Sequence, residues 1–555
     1  MNKKTILFLV PLILYIAILG VMPQMEPDEA RYSLIPSEMN ASGNYVTPHI
    51  KNTIYLEKPP LAYWVTAMSF KVFGENDFSA RLFTGLCAWG CILLAFFMGR
   101  HFRDEKTGLY ASAVLSISVL PFILGRINIL DMPLTFFLCL SVWLGYLAVN
   151  SVNKRHLYYL FYFACALAFL TKGIVGVVFP FAILVLWLIW TGRWRDIFGL
   201  VSPVGIVIFL IIVSPWLILA QMENSDFLWF FFVREHFLRF TTQMHGKSEP
   251  FYYFIPIIIG GTLPWSIYLI RAWHKNNISG WLFRKDENKL LVVWFLFIFL
   301  FFTVSSSKLA TYIAPVFIPI ALFAGNIFRN DEELTEKPAS GRIFVYRLFA
   351  VIQAVIVVIA LLLPLILKHY SDAEKGLVVM ISNLWPLWII LPAVAVVLLS
   401  FLPDLIRQKY HRGWFATIYT LSALLLASSI FPLNDFLYPY RSSYVAKEAI
   451  KQHVPQDKLL YQYRVNFYGI DFYNKIDTAI VEDFGELADG IIKLNPEERK
   501  KYYLSVADFF ELINEGNEIY CITQHQQRLK ELQSYFPKVE ILWDNEAFFL
   551  LRVSK

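Results

Sequence analysis

Residues 25–64 read MEPDEARYSLIPSEMNASGNYVTPHIKNTIYLEKPPLAYW. One apolar segment precedes them and a long series of others follows. Within the stretch stand Glu26, Asp28, Glu29, Arg31, Glu57 and Lys58, with Tyr32, Tyr55 and Tyr63 between them. Ionisable groups this dense beside a bilayer are costly to hold unless they pair, bind something or face water. The stretch is therefore the first place to look for chemistry.

The composition around it sets the class. Of 555 residues, 57% are hydrophobic and only 17% are charged, where a soluble globular protein carries about 25% charged residues. Aromatic residues make up 17%, as suits membrane interfaces. The net charge of +6 does not point to nucleic acid, because the basic residues lie between apolar runs, and no nucleic-acid partner is expected. Cys87, Cys91, Cys139 and Cys165 lie in apolar runs and Cys521 stands alone, so neither a disulfide framework nor a zinc-type cysteine spacing follows.

The first apolar run, residues 5–23, enters Pro23-Gln-Met-Glu-Pro without a small-residue cleavage site and is read as a retained span. Further runs at 82–99, 109–125, 133–150, 157–171, 174–191, 198–219, 251–270, 290–305, 309–328, 343–367, 377–402 and 413–433 are each near the length of a bilayer crossing, giving about thirteen spans. Alternate loops carry Lys3/Lys4, Arg100/Arg103/Lys106, Lys154/Arg155, Arg193/Arg195, a basic group at 271–289, Arg329/Lys337/Arg342 and Arg407/Lys408/Arg412. That is the positive-inside pattern. It puts the N-terminus in the cytoplasm and the loops at 24–81, 126–132, 220–250 and 306–308 outside. An odd span count puts the C-terminus outside too.

From Asn434 the composition changes. Strand-like segments at 458–463, 479–482, 518–523 and 547–553 mix with helical ones at 443–451 and 524–534, which predicts a small α/β domain. The expected architecture is a polytopic α-helical membrane protein. Residues 1–433 form the transmembrane part, with the loop 24–81 carrying the site, and residues 434–555 form the outer α/β domain. That domain shows no phosphate-binding glycine loop and no metal motif, so neither a nucleotide cofactor nor a catalytic residue is expected there.

The outer loops hold polar groups that hydropathy alone does not predict. Besides Asp28 and Glu29 there are Asp131, Lys172, the group Arg234, Glu235, His236 and Arg239, and then Lys308 and Tyr312. Acids, cations and tyrosines on one membrane face suit an anionic, lipid-linked substrate: Lys and Arg bind phosphate through charge-assisted hydrogen bonds, and carboxylates position a sugar or a proton. Blander readings stand beside these. Asp28 and Glu29 would also end a span in water. Asp131 before Met132-Pro133 would also cap a helix. Lys172 would also snorkel to headgroups. Arg234, Glu235 and Arg239 would also form ion pairs on an interfacial helix. His236 is equally an ordinary histidine, and Tyr312 equally part of an aromatic belt.

At Glu26-Pro-Asp-Glu-Ala-Arg-Tyr the sequence resembles membrane glycosyltransferases of the GT-C class, most of all the bacterial lipid A aminoarabinose transferases, relatives of protein O-mannosyltransferases. The likeness continues through Ser37-Glu-Met-Asn-Ala-Ser-Gly-Asn-Tyr and Leu56-Glu-Lys-Pro-Pro-Leu-Ala-Tyr-Trp, and resumes at Leu130-Asp-Met-Pro, Thr171-Lys-Gly, Arg234-Glu-His-Phe-Leu-Arg-Phe and Ser307-Lys-Leu-Ala-Thr-Tyr. It implies a GT-C fold in the bacterial inner membrane with its active site on the periplasmic side. It implies a sugar donor on undecaprenyl phosphate and a lipid A or lipopolysaccharide acceptor. Asp28 and Asp131 are then active-site acids, with Glu29 grouped beside them. Lys58, Lys172, Arg31 and Arg239 are phosphate contacts, grouped with Tyr55 and Lys308. Tyr312 closes over the lipid carrier. Glu57 and His236 match a zinc or other divalent-metal site, half of a usual protein ligand set. The alternative within the class is another polyprenyl-phosphate-linked sugar moved to lipopolysaccharide core or to protein.

Overall fold

A computed structural model describes residues 3–151, 154–238, 249–266, 268–269, 285–333, six positions between 415 and 427, and 438–555. The spans expected at 343–367 and 377–402, nearly all of that at 413–433, and Arg239 lie outside the described residues.

Among the described residues, five helices are long and apolar enough to cross a membrane: Asp77–Phe102, Asp131–Asn150, Pro203–Glu223, Asp286–Val304 and the run Ala310–Asn330. Local sequence sets their ends. Asn76 caps Asp77–Phe102, accepting from the Ser79 N–H at 3.0 Å while Ser79 Oγ accepts from the Asn76 N–H at 3.2 Å; such reciprocal caps satisfy donors that the helix cannot. Ser202 caps Pro203–Glu223, with proline in the first turn, where its missing N–H costs nothing. Arg155–Lys172 ends at Gly173, whose φ of +83° suits glycine. Val175–Trp190 returns at once, and a Cβ on Gly176 would lie 2.4 Å from the Ala168 carbonyl carbon. This tight helical hairpin puts Lys172 at its tip.

Two expectations need correction. The run 109–125 is two short helices, Glu105–Ser116 and Val119–Leu124, broken at Ile117-Ser118. The region 24–81 is not a plain loop. It holds the helices Asp28–Ser42 and Leu61–Phe73, joined through a two-stranded hairpin, β1 (His49–Ile50) and β2 (Thr53–Ile54). Leu61–Phe73 is too short to span; it buries Tyr63, Ala67 and Phe70 against the protein and turns Met68, Val72 and Phe73 outward, so both of its faces are apolar.

The C-terminal residues form a six-stranded sheet flanked by helices. Its strands are β3 (Leu460–Tyr463), β4 (Thr478–Val481), β5 (Tyr503–Leu504), β6 (Ile519–Gln524), β7 (Lys538–Asp544) and β8 (Phe548–Ser554), in the order β5-β4-β3-β6-β8-β7. The four strands β5, β4, β3 and β6 run parallel, and β8 and β7 add antiparallel. Four strands and two helices match the expected segments to within a few residues; β5 and β7 are additional.

This domain sits on the 24–81 region. Tyr32, Ile35, Met39, Ile50 and Tyr55 share one apolar cluster with Tyr468, Phe472, Leu487, Ile491 and Tyr503. Polar contacts frame it. Lys51 Nζ donates to Asp471 Oδ2 at 2.7 Å and to Thr478 Oγ1 at 2.6 Å, inside the interface. The Glu26 carboxylate accepts from Ser443 Oγ at 2.5 Å, from the Tyr468 N–H at 3.0 Å and from the Gly469 N–H at 2.8 Å. A side chain at 469 would displace that carboxylate, since a Cβ there lies 2.5 Å from Glu26 Oε1.

Candidate active site

The helix tips converge on a cavity of about 330 Å³, within the size range of small-molecule sites. Its polar end carries Glu57, Lys58, Asp131, Lys172, Glu235 and Tyr312. Its apolar wall includes Val175, Val178, Phe179, Phe301 and Phe302; Val178 is exposed, so the wall opens sideways.

Each polar group is placed by its element. Lys172, the last residue of its helix, reaches Asp131 in the first turn of Asp131–Asn150, with Nζ to Oδ1 at 2.8 Å. The same ammonium lies 4.8 Å above the Tyr312 ring, a cation–π contact. Across the cavity Lys58 lies between two carboxylates, 3.5 Å from Glu57 Oε2 and 3.4 Å from Glu235 Oε2. These five charged side chains are 10–18% exposed. The result is two ammonium groups, each with carboxylate company, above a hydrocarbon slot. An incoming phosphate can exchange with those carboxylates without stripping a lysine bare.

The remaining expected residues fall elsewhere. Asp28 is at the start of its helix with a 64% exposed side chain, and Arg31 Nη2 donates to its Oδ1 at 2.6 Å. The buried Arg31 also pairs with Glu486 of the C-terminal domain, and its guanidinium lies 5.3 Å from the Tyr32 ring and 5.7 Å from the Tyr55 ring. Tyr55 is buried; its hydroxyl lies 3.0 Å from Glu486 Oε2 and 3.4 Å from Glu57 Oε2. A chain of polar contacts therefore runs from Asp28 through Arg31, Glu486 and Tyr55 to Glu57 at the cavity, with the single Tyr55 proton closer to Glu486. Glu29 is not on it. Its carboxylate is buried against Arg81, at 2.5 and 2.8 Å, and accepts from the N–H groups of Asn128 and Met25, each at 3.0 Å. That carboxylate is fully committed to tying the 24–81 region to the span Asp77–Phe102. Lys308 donates to the Glu249 carbonyl at 2.9 Å and does not line the cavity.

Sequence reasoning named Glu235 only as one of a charged group, with no role of its own, and did not single out Glu486. Glu235 lay in the Arg234-Glu-His motif, and the structure turns it inward while Arg234 pairs with Asp489 at 2.6 Å. Nothing local in Phe484-Gly-Glu-Leu marks Glu486; only docking of the domain brings it to Arg31. For a metal, the described residues hold no group of three or more His, Cys, Asp or Glu side chains. Glu57 and Glu235 both face Lys58, and the His236 side chain lies outside the described residues.

The arrangement has known counterparts. Residues 57–219 match the family model described as dolichyl-phosphate-mannose-protein mannosyltransferase. The undecaprenyl phosphate-α-4-amino-4-deoxy-L-arabinose arabinosyl transferase of Enterobacter sp. is 31% identical over 392 residues, 68% of each chain. Proteins of the same name from Pseudomonas fluorescens and Proteus mirabilis are each 32% identical, over 60% of this chain and 60% of their own length. The crystal structure of ArnT from Cupriavidus metallidurans bound to undecaprenyl phosphate superposes with a TM-score of 0.83 at 23% identity, covering 99% of this chain and 98% of that one. Its apo form gives 0.80. The fold is thus that of a GT-C membrane glycosyltransferase, multi-pass, and the sequence likeness extends over two thirds of a named relative. This chain belongs to the undecaprenyl phosphate-α-4-amino-4-deoxy-L-arabinose arabinosyl transferase family.

Proposed function

We propose that this protein moves 4-amino-4-deoxy-L-arabinose from undecaprenyl phosphate to lipid A at the periplasmic face of the bacterial inner membrane. The observation that carries the reading is the cavity itself. Lys58 and Lys172 lie at its polar end, and an apolar wall open to the side runs below them. That shape suits a phosphate with a long hydrocarbon tail.

In this reading the donor's phosphodiester rests between Lys58 and Lys172, and its isoprenoid lies along Val178, Phe301 and Phe302. Tyr312 covers the Lys172 side. Transfer breaks the bond between C1 of the sugar and the phosphate oxygen. Negative charge grows on the departing phosphate, and ammonium groups already in place stabilise it without reorganising. A lipid A phosphate is anionic and attacks C1 without a base; a hydroxyl acceptor needs one. Asp28, held by Arg31, then orients the acceptor or the positively charged sugar. Asp131 holds Lys172 toward the phosphate. A zinc or other divalent ion on Glu57 and His236 remains a separate proposal, tested by the metal content of purified wild-type protein and of His236→Ala.

A second reading keeps the donor site and changes the sugar or acceptor. The stretch matching the mannosyltransferase model begins at Glu57 and includes Lys58, Asp131 and Lys172, the donor side of the cavity, but not Asp28. Purified protein given undecaprenyl-phosphate aminoarabinose with lipid A, lipopolysaccharide core or peptide separates the two. Mass spectrometry should show a pentosamine added to lipid A; addition only to peptide or core overturns the first reading.

A further inference from the structure

A second cleft, of about 350 Å³, lies between the 24–81 region and the C-terminal domain. Its place in the sheet is informative. From β3 the chain adds β4 and β5 on one side, then crosses to add β6 on the other. Open α/β sheets bind ligands beyond the carboxyl ends of their strands, where the winding reverses. The cleft is lined by the residues at that point: Asn466 after β3, Asp483 after β4, and His525 and Arg528 after β6. Asp28 and Arg31 line it from the other side.

The lining is chemically mixed. Arg31, Arg441 and Arg528 supply guanidinium groups, and Glu26, Asp28, Asp483 and Glu486 supply carboxyl groups, that of Glu26 already accepting from Ser443, Tyr468 and Gly469. The carboxylates repel a bare anion but accept from hydroxyl or amino groups, whereas guanidinium groups match phosphate. Of the buried polar atoms that lack hydrogen-bond partners among the described residues, two belong to lining residues: the acceptor Asn466 Oδ1 and the donor Arg31 Nε. Buried polar atoms are rarely left unpaired, and a ligand offering both donors and acceptors would satisfy them. Arg31 and Glu486, which line this cleft, belong to the chain of contacts that reaches the donor cavity through Tyr55 and Glu57.

We propose that this cleft binds the phosphorylated sugar headgroup of the acceptor, with the C-terminal domain as its recognition module; the assignment to the acceptor rests on the function proposed above. Arg441 is exposed and Arg528 partly so, so Arg441→Gln and Arg528→Gln leave the core intact.

In the full-length protein in detergent, each substitution should raise the KM for lipid A about ten-fold, the loss of one charge-assisted hydrogen bond, with the KM for undecaprenyl-phosphate aminoarabinose held within about twofold. Saturation-transfer NMR should detect glucosamine 1-phosphate on the wild type, lose it in the double variant, and show no displacement by equal inorganic phosphate. An unchanged lipid A KM, a donor KM that rises instead, or no glucosamine 1-phosphate signal from the wild type overturns the proposal. Displacement by inorganic phosphate reduces the cleft to a plain anion site and also overturns it. If the wild type transfers nothing to lipid A yet binds glucosamine 1-phosphate through both arginines, the sugar-phosphate site stands and the acceptor reading falls.

Discussion

Lys172→Met tests the donor cavity at its most constrained point. Methionine nearly keeps the length and removes the charge. The ammonium makes one 2.8 Å bond to Asp131 and lies 4.8 Å over the Tyr312 ring. A charge-assisted hydrogen bond contributes about 1.5–3 kcal/mol, and a partly exposed cation–π contact adds about 0.5–1 kcal/mol. In the donor complex the phosphate takes the place of part of the Asp131 contact, so about 1.5–3 kcal/mol is the expected loss, roughly ten- to a hundred-fold in the KM for the polyprenyl donor. The assay is initial-rate transfer in detergent with lipid A saturating and donor varied. Lys172→Arg should recover part of the loss. Asp131→Asn combined with Lys172→Met should cost less than the sum of the two, because the residues are in contact. A donor KM within about twofold of wild type, with the protein folded, would remove Lys172 from the phosphate site.

Asp28→Asn should lower transfer roughly 100- to 10,000-fold if its carboxylate acts in proton transfer, while donor binding persists; near-normal turnover moves the role to Asp131. Glu29→Gln should act on stability instead, since removing one partner of its buried pair with Arg81 costs about 3–5 kcal/mol; a folded protein with an unchanged thermal midpoint but no activity would contradict that. Gly469→Ala should loosen the C-terminal domain through the 2.4 and 2.5 Å approaches to Ser443 Oγ and Glu26 Oε1, seen as faster proteolysis between the domain and the membrane part; unchanged cleavage would refute it. Burial pushes Glu26 up from an ordinary 4.5 to about 7, against the pull of Ser443, Gly469, Lys51 and Tyr468. The native state therefore keeps a proton that the unfolded chain releases. Its stabilising effect is full below the unfolded value and is lost as pH rises through about 7. The thermal midpoint should fall from about pH 5 to about pH 8, less steeply in Glu26→Gln; equal slopes would show that another group is responsible. Glu38, also raised to about 7 by burial, adds to the wild-type slope and stays in the variant.

Hydrophobic runs made the membrane architecture readable, because a bilayer demands long apolar helices and little else. The same signal misled at 109–125, where apolar character continues across a break at Ile117-Ser118, and passed over Leu61–Phe73, a helix apolar on both faces but too short to give a span-length run. Strands β3, β4, β6 and β8 are almost wholly buried and read as apolar segments; β7 is mostly exposed and has no such pattern. Charge density singled out the 24–81 region, which packs under the C-terminal domain, but it could not sort its members. Asp28 and Glu29 are adjacent in sequence, yet one faces a cleft and the other is locked on Arg81. Asp131 and Lys172 come together only because Gly173 ends one helix as another begins. Glu486 acquires its place from tertiary docking alone, which no local pattern records.

The bond between Arg31 and Glu486 has a consequence for how the protein is made. Its two ends are 455 residues apart, and Lys51 waits for Asp471 over 420. During synthesis the early segment is inserted long before its partners exist. Until the ribosome has passed residue 486, Arg31 and Lys51 carry charges without those carboxylates, and the apolar side of the helix Asp28–Ser42 lacks the cover that Tyr468 and Phe472 supply. A chain released early is thus left with both the Arg31–Glu486 contact and the apolar cluster between the 24–81 region and the C-terminal domain unfinished, a state that quality-control proteases can tell from the complete protein.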